Sequence, residues 1–162
     1  MGFNPKKILS PGPVFEKQAS IYGQPDAKGF VNGDIDADFS GYPLHYCRHA
    51  GNIADVSLLL AEAGQDDDNT LSMEVDVQIN GVSCLSTKPK ISYVSGEASG
   101  RKGTMVSGEY TDTIQSILDY DNISYVPGDI ITFDGDITRT SSPDTEMAGM
   151  CVNVEFDPYL PK

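Results

Sequence analysis

The feature that most constrains the fold is the stretch "LSMEVDVQINGVSCLSTKPKIS", Leu71 to Ser92. Leu71, Met73, Val75, Val77 and Ile79 alternate with Ser72, Glu74, Asp76 and Gln78. A period of two puts the apolar set on one face of a strand and the polar set on the other. Asn80-Gly81 then offers the two positive-φ positions of a type I′ turn, so Val82 to Leu85 is predicted to fold back as a hairpin with Met73, Val75 and Val77 buried. An isolated hairpin is marginal in water. The rest of the chain must therefore supply a second layer.

Further candidate strands follow at short spacing. Pro43 to Ala50 is one, and Asn52 to Gly64 another, although the latter also reads as a short helix capped by Asn52 and ended by Gly64. Lys88 to Val94 and Asp129 to Thr140 come next, the second launched by Pro127-Gly128 with Ile131, Phe133 and Ile137 on one face. "AGMCVNVEF" closes the pattern with Met150, Val152, Val154 and Phe156 facing inward. Part of Thr113 to Tyr120 reads as a strand or a helical turn, and the glycine-rich Ser95 to Asp112 as the most mobile loop. Strands separated by turn signals, with no long helix between them, predict an all-β fold: an antiparallel β-sandwich of jelly-roll type over residues 41–158, with a short tail at 159–162.

Residues 1–40 read as an extended N-terminal arm. Prolines at 5, 11, 13 and 25 interrupt it and no period is sustained, yet it is richer in apolar side chains than a solvated linker. Residues 1–33 carry a formal charge of +2 against -15 on the remainder, from a whole-chain value of -13. Phe3, Ile8, Phe15 and Tyr22 are the expected anchors of this arm on the body or on another subunit, with Lys6 and Lys7 facing acidic surface.

The charge of -13 argues against nucleic acid, which needs a Lys and Arg footprint. No apolar run approaches the roughly 20 residues that cross a bilayer, and the first residues lack a secretory h-region, so a soluble chain made in the cytosol is expected. The three cysteines, Cys47, Cys84 and Cys151, form no C-x-x-C pair and are expected to be reduced and buried.

His45, Cys47 and His49 suit zinc by type, but same-face neighbours on a strand stand too far apart to converge on one ion. Asp34, Asp36 and Asp38 begin like a calcium loop, but Phe39 stands where the turn needs Gly and His45 where the bidentate Glu belongs. A loose calcium contact at a subunit junction is the residual reading of these carboxylates. No serine lies in a G-x-S-x-G elbow, and Arg101-Lys102-Gly103-Thr104 lacks phosphate-loop spacing. No catalytic residues, cofactor or required metal are expected.

The runs "SLLLAEAGQDDDNTLSMEVDVQINGVSCLSTKPKIS" and "VPGDIITFDGDITRTSSPDTEMAGMCVNVEF" resemble the small β-sandwich domains of tailed-bacteriophage virion proteins, among them head decoration (cement) proteins and head-fibre or tail-fibre tips. The resemblance covers residues 43–157 and leaves the arm unmatched. It implies a structural role without an active site, commonly as a homotrimer. The expected function is capsid stabilisation on the virion exterior, with the major capsid protein as partner. A fibre-tip or receptor- or carbohydrate-binding module is the alternative, which Tyr93, Tyr110, Tyr120 and Tyr125 gathered in one groove would favour.

Overall fold

The computed structural model describes residues 16–19, 25–66 and 70–158. Its strands are β1 (Glu16–Ala19), β2 (Pro25–Ile35), β3 (Phe39–Tyr46), β4 (Gly51–Glu62), β5 (Ser72–Ile79), β6 (Val82–Ser83) and β7 (Leu85–Thr87). They continue as β8 (Lys90–Ser92), β9 (Lys102–Gly103), β10 (Thr113–Ile114), β11 (Ile117–Leu118), β12 (Ser124–Tyr125), β13 (Ile130–Thr138) and β14 (Met147–Pro158). No helix occurs among the described residues.

Two antiparallel sheets stack as a β-sandwich. The first runs β1-β2-β14-β4-β12, with β9 also on β4, and the second runs β10-β8-β5-β13-β3, with β6 also on β5. The alternation read from Leu71 holds from Met73 onward: Met73, Val75, Val77 and Ile79 are buried while Glu74, Asp76 and Gln78 are not, and only Ser72 departs from it, being buried although it falls on the polar face. Ile131, Phe133 and Ile137 of β13 join them from the adjacent strand. Across the core, Val56, Leu58 and Leu60 of β4 meet Met150, Val152, Val154 and Phe156 of β14. Asn80 and Gly81 take φ values of 51° and 83°, the pair of positive angles that a two-residue hairpin turn demands. Of the two readings of Asn52 to Gly64, the strand is the one that forms, because pairing with β14 along nearly its whole length satisfies its main chain.

Two expectations are corrected. The boundary between arm and sandwich does not fall at residue 40, since Pro25–Ile35 is a strand hydrogen-bonded to β14 and β3 begins at Phe39. β2 lacks a sequence period because glycine replaces a side chain where the opposite sheet presses in. A Cβ on Gly29 would stand 2.6 Å from Cε1 of Phe133, so the ring of Phe133 fills the space that a larger residue would need. The four arm anchors, Phe3, Ile8, Phe15 and Tyr22, lie outside the described residues.

The second correction concerns Ser95 to Asp112, which is fastened by a buried cation. Lys102 is 7% exposed, and its Nζ donates to the Glu97 carboxylate, to Ser92 O at 3.0 Å and to Thr111 O at 3.4 Å. Thr111 Oγ1 also donates to Glu97, and Thr104 Oγ1 accepts from Leu58 N at 2.9 Å. Polar residues predicted mobility here because their partners are distant in sequence and invisible to composition.

Candidate functional surface

One end of the sandwich is built from four separated segments: the 80–81 turn, the turn at 126–129, the end of β3 and the start of β13. Hydrogen bonds weld them together. Asn80 N donates to Ile130 O at 2.9 Å, and Ile130 N returns a bond to Asn80 Oδ1 at 3.0 Å. Asn80 Nδ2 donates to Asp129 Oδ1 at 2.7 Å, while Asp129 Oδ2 accepts from Val126 N at 2.8 Å. The Val126 amide and the Asn80 amide group together hold the Asp129 carboxyl below the usual carboxylate range. Cys47 N donates to Asp129 O and Gly128 N to Cys47 O, each at 2.9 Å, which ties β3 into the same corner.

Around this corner stand large apolar side chains that the core does not use. Tyr46 is 60% exposed, Ile130 beside it in register 45%, Val82 53% and Val126 56%. Pro43, Leu44, His45, Tyr46 and Ile130 line a shallow apolar depression there. Tyr120, 77% exposed, and Ile117, 56% exposed, are further uncovered side chains, on the segment that Asp119 N ties to Cys84 O and that pairs with β7. Beneath the depression, Phe156 receives Tyr125 edge-on at 5.5 Å and His45 at 5.0 Å. Burial pushes the Tyr125 phenol up to about 12 and the Cys47 thiol up to about 11, so both groups remain neutral at physiological pH.

On the outer face of the second sheet, acidic residues gather in a recess lined by Asp38, Glu74, Asp76, Asp134 and Asp136 with Lys88. Asp134 lies directly opposite Asp76, and Asp136 opposite Glu74. Like charges so placed repel, and local partners compensate. Lys88 Nζ approaches Asp76 at 3.5 Å and Glu74 at 3.9 Å, Gln78 Nε2 donates to Asp134 at 2.7 Å, and Ser83 Oγ donates to Asp76 at 2.6 Å. Among the described residues no group of three or more His, Cys, Asp or Glu is placed to hold a metal ion.

The other sequence candidates are dispersed. His45 turns inward onto Phe156, Cys47 is buried and His49 is exposed, so the three do not converge. Asp36 and Asp38 lie in the turn from β2 to β3, where Asp38 Oδ1 accepts from Ile137 N at 2.9 Å. Cys84 is buried, and Cys151 is free and half-buried on the outer face of the first sheet rather than in the core. The four tyrosines share no groove: Tyr125 is buried beside Gly51, Tyr93 packs at the opposite end where its N–H bonds Leu71 O, Tyr110 is half-buried where its carbonyl accepts from Thr113 Oγ1, and Tyr120 stands in solvent. The apolar end escaped sequence reading because its members lie tens of residues apart. The one available signal was Pro127-Gly128 ahead of two adjacent isoleucines, of which a strand can bury only one.

No protein-family model matches the chain, and no curated protein matches it. Among solved structures it is similar to a carbohydrate-binding module, CBM36 in complex with calcium and xylotriose, at 16% identity and a TM-score of 0.27, over 90% of this chain and 87% of that one. At that TM-score the overlap carries no functional argument.

Proposed function

We propose that this chain is a non-catalytic structural protein of a tailed-phage virion that docks on the outside of the head and stabilises the shell. The observation that supports this reading most is the apolar end. Tyr46, Val82, Val126 and Ile130 are held in solvent by a corner that the Asn80–Asp129 bonds make rigid. Exposed apolar side chains on a preorganised frame lose little entropy when a partner covers them, and they mark docking sites rather than active sites. The resemblance over residues 43–157 supplies the class of partner, the major capsid protein, and a homotrimer as the assembly. The arm anchors Phe3, Ile8, Phe15 and Tyr22 add grip beyond the sandwich.

Mixing the purified chain with empty heads assembled from the major capsid protein of the same genome, and counting chains per head, tests the reading. Saturation at a fixed ratio to the capsid subunit is expected. Tyr46→Asp with Ile130→Asp should weaken it at least tenfold, as loss of central apolar anchors does elsewhere. Binding to cells or immobilised glycans with none to heads would overturn it in favour of a fibre tip or receptor-binding module.

A further inference from the structure

Asparagine followed by glycine is among the least durable pairs in a polypeptide, and the chain has two, Asn32-Gly33 and Asn80-Gly81. With no Cβ on the glycine, its main-chain nitrogen can reach the side-chain carbonyl carbon of the asparagine before it. The nitrogen bonds to that carbon, the bond from the carbon to Nδ2 breaks, and Nδ2 leaves as ammonia with the amide proton. Water then opens the cyclic imide at one carbonyl or the other, leaving aspartate or isoaspartate.

The fold treats the two pairs differently. Both are exposed, and both glycines take positive φ, 84° at Gly33 and 83° at Gly81. Asn32 lies where β2 shifts register on β14, between Val31↔Met150 and Asp34↔Ala148, and among the described residues its side chain has no hydrogen-bond partner. Asn80 is held at three polar atoms. Its N–H donates to Ile130 O at 2.9 Å, its Oδ1 accepts from Ile130 N at 3.0 Å, and its Nδ2 donates to Asp129 Oδ1 at 2.7 Å. Attack by Gly81 N needs the Asn80 amide turned toward it and Nδ2 released, and the bonds to Ile130 and Asp129 oppose both.

We infer that Asn80-Gly81 is a modification site that reacts only when the Asn80–Asp129 corner opens, and that its deamidation then keeps the corner open. The first half follows from local opening, through which a held group becomes reactive only in the fraction of molecules that have released it. The second follows from the product. Aspartate at position 80 puts a carboxylate oxygen where Nδ2 stood, 2.7 Å from Asp129 Oδ1. Asp129 is itself ionised, since the Val126 N–H and the Asn80 amide hold its carboxyl below the ordinary range. A donor is lost and two like charges meet, while isoaspartate also lengthens the main chain inside the turn. Val126 and Ile130 then lose the frame that holds them. The inference stands apart from the shell reading, since every readout is made on the free protein.

Asn32 serves as the internal reference. The full-length parent and Asp129→Ala are kept warm at neutral pH, and the peptides that contain Asn32 and Asn80 are followed by mass spectrometry over time. In the parent Asn32 is expected to convert first and Asn80 about tenfold more slowly, as the loss of a charge-assisted hydrogen bond implies. Asp129→Ala should raise the Asn80 rate about tenfold and leave the Asn32 rate unchanged. In urea, where no corner exists, the two sites of the parent should converge. Asn80 keeping pace with Asn32 in the folded parent overturns the inference, as does an Asp129→Ala protein that retains a cooperative melt and the parent's Asn80 rate. Should that variant fail to melt cooperatively, the ratio of the two sites in folded and urea-unfolded parent decides alone. Asn80→Asp makes the product directly and should quicken amide exchange at Ile130 by about tenfold. Exchange as slow as the parent's would show that the corner recloses over the carboxylate, and would overturn the second half.

Discussion

Lys102 is the residue whose role departs most from its type. Lysines are rarely buried without a partner, and this one takes the Glu97 carboxylate and two carbonyls with it. Lys102→Met keeps the stem and removes the cation. The expected cost is about 3 kcal/mol, at the low end for breaking a buried pair because Glu97 keeps partial access to water. For a domain of this size that corresponds to a melting point lower by about 6–12 °C. The difference should depend on pH. The Glu97 carboxyl is held below its ordinary 4.5, first by the Lys102 hydrogen bond and then by that of Thr111. A lowered carboxyl contributes stability above its ordinary value and loses it as pH falls through the lowered one. The gap between Lys102→Met and the parent should therefore narrow below about pH 4.5. A gap that stays constant in melts from pH 7 to pH 3 would show that the Lys102–Glu97 pair contributes nothing.

The β5–β6 hairpin and β2 mark the two extremes of what the sequence discloses about its elements. In the hairpin, period and turn chemistry are both local, so the residues themselves specify its register. β2 contains Gly29 and Gly33, has no clean period, and is a strand because β14 pairs with it from Met147↔Ile35 to Val154↔Ala27. Its information lies about 120 residues away. The apolar end mixes the two cases: the Asn80-Gly81 turn was legible, but not that Asn80 would fasten the 126–129 turn through Nδ2 and the start of β13 through Oδ1. This yields a graded expectation. Asn80→Gly keeps the positive φ and loses two side-chain bonds, costing about 1 kcal/mol. Asn80→Ala adds the steric penalty of a left-handed residue, for about 2–3 kcal/mol. Urea midpoints should rank parent, Gly, Ala, and equal midpoints for the two variants would contradict the role given to backbone geometry. Hydrogen exchange at the Ile130 amide should quicken in both.

At the level of the whole molecule the topology is non-local, and β14 sits inside the first sheet with β2 on one side and β4 on the other. Met147, Met150, Val152, Val154 and Phe156 of the core all arrive on this strand. A chain ending at Glu146 should therefore lack any cooperative thermal transition and bind dyes that report exposed apolar surface, whereas a sharp melt from that fragment would mean that β2 and β4 can pair without it. During synthesis the same placement imposes a wait. β4 is complete at Glu62, but its partner is complete only at Pro158, roughly 100 residues later, which at 5–20 residues per second is about 5–20 s. Over that interval β4 lacks the strand that pairs with nearly its whole length, and Val56, Leu58 and Leu60 lack the neighbouring Met150, Val152, Val154 and Phe156. The nascent chain is thus most exposed to aggregation while it is being made, and crowded, rapid expression should lower its soluble yield far more than the stability of the finished sandwich would suggest.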